Sequence, residues 1–164
     1  DWNDRNTCVL FGDGAGSVIL SRSDSAGIIS TTIGSNGSYK DLLTVNPDTD
    51  FIEMKGNDVF KIAVNTMGKL AQETLDSNNL SIDQIDWMIP HQANSRIINA
   101  IAKKISLPND KVIMTVDKHG NTSAASIPLA LDEANTKGLL KKNDIIMFEA
   151  FGAGFTWGST LLKF

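Results

Sequence analysis

Ile85–Arg96 reads IDWMIPHQANSR, and the way this stretch divides decides the fold. Ile85, Trp87, Met88 and Ile89 make a short apolar run of the kind that forms a buried strand, and Pro90 ends it. His91, Gln92, Ala93 and Asn94 follow, and a helical pattern begins at about Ala93. A polar cluster where a buried strand gives way to a helix is where open α/β sheets place ligand sites. The chain has two histidines, and His119 also sits just after an apolar strand-like run. Two such loops predict one sheet edge on which residues distant in sequence meet.

Outward from this stretch the pattern continues. Ile97, Ile98, Ile101 and Ile105 repeat at helical spacing, and Lys111–Val116 alternates as a strand does. Asn121–Lys137 is small-residue-rich and then helical, with Pro128 tolerable only near its first turns and Gly138 as its stop. Asp144–Glu149 and Thr156–Phe164 are strand-like, joined across Gly152-Ala153-Gly154. Toward the N-terminus, Asn57–Leu75 is the clearest helix, and Ser81 with Gln84 has capping-box spacing. Gly34–Asp50 is a long polar loop, and Gly27–Ile33 is a strand expected to close a hairpin-like pair. Cys8–Phe11 and Ser17–Leu20 read as strands around the glycine cluster Gly12–Gly16. That cluster lacks a P-loop ending and the dinucleotide spacing, so it reads as a tight turn or close backbone approach. Strands alternating with helices predict an α/β fold of one domain over 1–164: a mixed five-stranded sheet with helices on both faces.

Composition narrows the function classes. The chain has 164 residues, 41% of them hydrophobic, enough for one real core. A net charge of −4 offers no basic field for nucleic acid. The single cysteine excludes an internal disulfide framework and fits a reducing, cytoplasmic compartment. No apolar run reaches membrane-spanning length, and the chain opens on Asp1-Trp2-Asn3-Asp4, as if it began mid-protein. Two histidines without clustered cysteine or carboxylate match no zinc spacing, so no metal is expected.

His91 and Asn121 carry the chemistry. A neutral imidazole N–H and a carboxamide N–H are both donors. Two such donors aimed at one carbonyl oxygen stabilise the charge that develops on it. The plainer readings are a satisfied polar group for His91 and a helix cap for Asn121. His119 reads as a loop former, Asp13 and Asp117 as turn residues, and Cys8 as core filler in a strand.

Five motifs in order carry a resemblance: GDGAG at Gly12–Gly16, GNDVFK at Gly56–Lys61, PHQAN at Pro90–Asn94, HGNTSAAS at His119–Ser126 and FGAGFTWG at Phe151–Gly158. Over essentially its whole length the chain resembles the C-terminal half of bacterial β-ketoacyl-acyl-carrier-protein synthases III, of the thiolase superfamily. The resemblance implies a thiolase-like half-domain, the second copy of a duplicated fold, and a Cys-His-Asn site to which His91 and Asn121 contribute. The acyl-accepting cysteine belongs to the first copy, so this chain alone should be inactive. The implied reaction is a decarboxylative Claisen condensation of acyl-CoA with malonyl-acyl-carrier protein, which initiates fatty-acid synthesis without a cofactor. By the same resemblance, Asn57, Phe60, Ala93, Ala153 and Gly154 shape the pantetheine pocket. Ala153 stands where the family usually has the middle glycine of a triplet. Gln92, Ala93, Asn94, Ser95 and Arg96, with Lys61, Lys103 and Lys104, match the carrier-protein surface, and a homodimer is expected of the whole protein. For Phe60 core packing is an equal reading, and for Lys103 and Lys104 an ordinary solvated helix face. The alternatives are a non-catalytic carrier-protein or acyl-CoA docking module, and a related condensing enzyme of secondary metabolism.

Overall fold

The computed structural model describes residues 1–25 and 27–164. Its centre is a four-stranded mixed sheet in the order β1-β6-β5-β4, built from β1 (Gly27–Ser35), β4 (Trp87–Pro90), β5 (Ile145–Gly152) and β6 (Thr156–Lys163). β4 and β5 are parallel, and β6 runs antiparallel to both of its neighbours. A second, two-stranded sheet pairs β2 (Leu43–Val45) with β3 (Ile52–Met54).

Strand alternation sorts the core into two layers. From β5, Met147 packs with Met88 and Leu161 under α1 (Gly56–Ser77) and α2 (Ser95–Lys104). Its neighbour Ile146 packs with Ile89 on the opposite face, under Ala130 and Ala134 of α4 (Ser126–Thr136). A period of two therefore feeds both faces, as a sheet covered by helices on each side requires. The α1 stripe Val59, Ala63, Met67, Leu70, Ala71 and Leu75 is buried, which is the spacing that defined the helix. Asn94 caps α2, its side chain accepting from Ile97 N–H at 2.9 Å. Pro128 falls in the first turn of α4, and Gly138 follows that helix at φ +65°. The expected capping box at Ser81 and Gln84 is present.

Four expectations change. Gly34–Asp50 is not all loop: it carries the end of β1, a 3-10 turn over Gly37–Leu42 and β2. Lys111–Val116 is not a fifth strand: it touches the sheet through one parallel bridge, Met88 with Val112. Backbone groups further along it are taken by a side chain instead, as described below. Cys8–Phe11 and Ser17–Leu20 are not strands either. Residues 5–10 are turns, Cys8 is only half-buried, and Val18, Ile19 and Leu20 are exposed. β1 consequently pairs with β6 and not with Ser17–Leu20. The glycine cluster is, as read, a close approach: a Cβ on Gly12 would lie 2.3 Å from the carbonyl oxygen of His119. Among the described residues, no helix is long and apolar enough to cross a membrane.

Candidate functional site

His91 stands one residue past β4. Its backbone N–H donates to the Glu149 carbonyl at 2.7 Å, extending the β4–β5 ladder by one bond. Its ring Nδ1 lies 2.7 Å from Ser126 Oγ, at the first residue of α4. The same hydroxyl accepts from Gln92 N–H at 3.1 Å. With an oxygen lone pair so occupied, the hydroxyl hydrogen can be given to Nδ1, the tautomer that leaves the ring proton on Nε2. Burial holds the imidazole below its ordinary pKa, and the nearby Ser123 backbone partly opposes this.

Gln92 fixes this loop from beneath. Its Nε2 donates to Pro90 O at 2.7 Å and Ile113 O at 3.2 Å, and its Oε1 accepts from Thr115 N–H at 2.8 Å. Beyond the bond from Ile113 N–H to Met88 O, one carboxamide thus stands in for a ladder between residues 113–115 and β4. The side chain is 1% exposed, so Gln92 leaves the expected carrier-protein surface: its polar atoms are spent inside the fold.

Asn121 is held by a different crossing. Its N–H donates to Leu10 O at 2.8 Å, and its carbonyl accepts from Gly12 N–H at 3.0 Å. Oδ1 accepts from Ser123 N–H at 2.9 Å, which leaves the carboxamide N–H groups for another acceptor. Lys118, in the short helix α3 (Val116–His119), pairs with Glu133 and ties this turn to α4. His119 is exposed, with its backbone against Gly12, in keeping with a loop former.

Both residues line one open cleft at the carboxyl ends of β4 and β5. Asn57 and Phe60 of α1, Ala93 and the β5–β6 turn at Ala153 also line it. Gly154 does not belong to that lining; its φ of +129° instead makes the turn. At the rim, Arg96 sits over the Phe60 ring, 5.6 Å from its centroid. Lys61 is exposed there, whereas Lys103 and Lys104 lie further along α2, outside the cleft. Lys104 donates to Asn65 on α1 at 2.6 Å. Asn94 and Ser95 line the cleft mouth, Asn94 already engaged as the helix cap. Among the described residues, no group of three or more His, Cys, Asp or Glu could hold a metal ion. Ser126 and Glu149 escaped the sequence reading. A serine three residues before a helical leucine carries no mark of what it will touch, and a glutamate inside a strand reads as a solvent-facing residue.

A family model described as 3-oxoacyl-(acyl-carrier-protein) synthase III, C terminal, matches residues 75–164. The chain belongs to this family. A second model, 3-oxoacyl-(acyl-carrier-protein) synthase III, matches residues 1–37. A β-ketoacyl-(acyl-carrier-protein) synthase III of Thioalkalivibrio sulfidiphilus is 54% identical over all of this chain. The chain spans 54% of that relative's length, about half, and the same share of the Vesicomyosocius okutanii enzyme of that name, at 55% identity. Among solved structures, the 3-oxoacyl-(acyl-carrier-protein) synthase III of Aquifex aeolicus superposes with a TM-score of 0.97 at 47% identity, over all of this chain and 53% of its own. A priming β-ketosynthase from a polyketide biosynthetic pathway superposes at 0.90 and 31% identity, over 99% of this chain and 53% of its own. The thiolase-type α/β half-domain is therefore the fold of this chain.

Proposed function

We propose that this chain is the histidine–asparagine half of a condensing enzyme that joins an acyl-CoA primer to malonyl-acyl-carrier protein. One observation carries the reading. His91 and Asn121 line the same cleft, and each has its second polar atom, Nδ1 or Oδ1, engaged by the protein. That leaves two N–H donors for one substrate oxygen.

On this reading the thioester carbonyl of the malonyl group accepts from His91 Nε2 and Asn121 Nδ2. The bond to the carboxylate carbon breaks, carbon dioxide leaves, and the electron pair moves into an enolate whose oxygen the two donors stabilise. The enolate carbon attacks an acyl thioester on a cysteine outside this chain, and the thiolate departs. Cys8 is half-buried and lines no part of the cleft, so it takes no part. His91 works as the neutral imidazole that its burial favours. Lys61, Ser95 and Arg96 at the rim, with Lys103 beyond, would meet an acidic carrier protein, where opposite charge speeds encounter. The whole protein acts in the cytoplasm as a homodimer and needs no cofactor.

The test is decarboxylation of malonyl-acyl-carrier protein by the full-length protein, as wild type, His91→Ala and Asn121→Ala. Each substitution lowers the rate on the order of a hundredfold while the fold survives. Background rates from all three, with carrier protein still bound, would leave the docking-module reading in its place. The polyketide-pathway neighbour supports a second reading, a primer-loading synthase of secondary metabolism. The acyl-CoA that the full-length protein accepts fastest separates the two.

A further inference from the structure

Glu149 has no place in the reaction just described, yet it is the most unusual side chain beneath the cleft. It is 0% exposed, and among the described residues neither carboxyl oxygen has a hydrogen-bond partner. A buried carboxyl without a partner is costly. Its register partner on β6 is Ser159, whose Oγ is likewise buried and unpartnered. Both are two residues from side chains packed under α1, Met147 and Leu161, so alternation sends them to the same face. Directly opposed residues of an antiparallel pair have Cβ atoms about 4.5–5.5 Å apart, close enough for the two side chains to hydrogen-bond. Glu149 also lines the cleft that holds His91 and Asn121, and its own carbonyl fixes the His91 backbone.

We propose that Glu149 is a positioning residue for the condensation: with Ser159 it forms a buried hydrogen-bonding floor beneath the bound malonyl thioester. This rests on the condensing-enzyme reading. The carboxyl works there as the neutral acid. Among the described residues no cation is at hand to balance a charge. On α1, Asp58, Lys61, Lys69, Glu73 and Asp76 are all exposed. On α2, Arg96 is over Phe60 and Lys104 on Asn65. On β6, Lys163 stands opposite Ile145 at the far end, and past β4 the titratable neighbour is His91, neutral by burial. Burial accordingly pushes the Glu149 carboxyl well above its ordinary value. A neutral acid offers one donor and one acceptor to the Ser159 hydroxyl, and does not repel the malonate carboxylate as an anion would.

The experiment compares wild type, Glu149→Gln and Glu149→Met in the full-length protein, reading kcat and KM for malonyl-acyl-carrier protein from neutral to alkaline pH. Glutamine keeps the shape and both hydrogen-bonding roles. It stays within about threefold of wild type at neutral pH and loses the alkaline fall in kcat/KM. Methionine fills the volume, keeps or raises Tm, and loses about tenfold in kcat/KM. Wild-type kinetics for the methionine variant overturn the proposal, and so does a glutamine variant as impaired as methionine, because the group would then act ionised. Infrared difference spectra, wild type minus Glu149→Gln, give a readout independent of turnover. A protonated-carboxyl band at neutral pH supports the proposal, and its absence overturns it. Failure of the condensing-enzyme reading is separate: wild type itself then shows no malonyl decarboxylation.

Discussion

Two loops in this molecule look alike in sequence and end differently. Each follows an apolar run, carries a histidine and leads into a helix. At the first, His91 is half-buried, with its ring on Ser126 and its backbone on Glu149. At the second, His119 is exposed, and the residue two places on, Asn121, faces the cleft. The difference lies in what crosses each loop. Gln92 closes the first from beneath with three hydrogen bonds. The Leu10–Gly12 backbone pairs with Asn121 at the second and leaves His119 outside. A histidine becomes a site residue when its neighbours orient it, and strand-end position alone does not suffice.

The comparison is sharpest in turnover. His91→Ala and Asn121→Ala each cost on the order of a hundredfold in malonyl decarboxylation, whereas His119→Ala stays within about twofold. A comparable loss at His119 would erase the distinction between the loops. Stability comes next. Gln92→Leu strands the buried Thr115 N–H and Ile113 carbonyl, and lowers unfolding free energy by about 2–4 kcal/mol in denaturant titrations. Third, Ser126→Ala removes the partner of His91 Nδ1 and lowers kcat about tenfold with little change in KM. An unchanged kcat would show that the ring needs no such orientation.

The smallest effect is on the pH dependence of stability, where His91, just past β4, and Glu149, within β5, oppose each other. His91 has its folded pKa depressed, so its contribution is present above the ordinary histidine value and is lost as pH falls through the folded one. Glu149 has its folded pKa raised, so its contribution is present below the ordinary carboxylate value and is lost as pH rises toward the folded one. Glu149→Gln should therefore remove the loss of Tm that begins as pH rises above the ordinary carboxylate value, and leave the loss below the ordinary histidine value, which belongs to His91. Parallel curves for the two proteins would mean that Glu149 ionises normally.

Periodicity alone placed the helices α1, α2 and α4 and the strands β4, β5 and β6. Each buries a face whose spacing is local, and local spacing is what a chain displays. The two residues proposed as donors, His91 and Asn121, were also singled out by the sequence, each as following a strand-like run and preceding a helix. Neither the strand count nor the partners were. Lys111–Val116 alternates as a strand should, but Gln92 takes its backbone groups. Cys8–Phe11 and Ser17–Leu20 have strand composition, and among the described residues they join nothing beyond the single Phe11–Asn121 bridge. Strand formation needs a neighbour, and a neighbour is a tertiary fact. Ser126 on His91, and Glu149 facing Ser159, belong to the same class. Their meaning comes from which atoms a fold brings within hydrogen-bonding distance of a buried group, and that is decided by packing across the sheet.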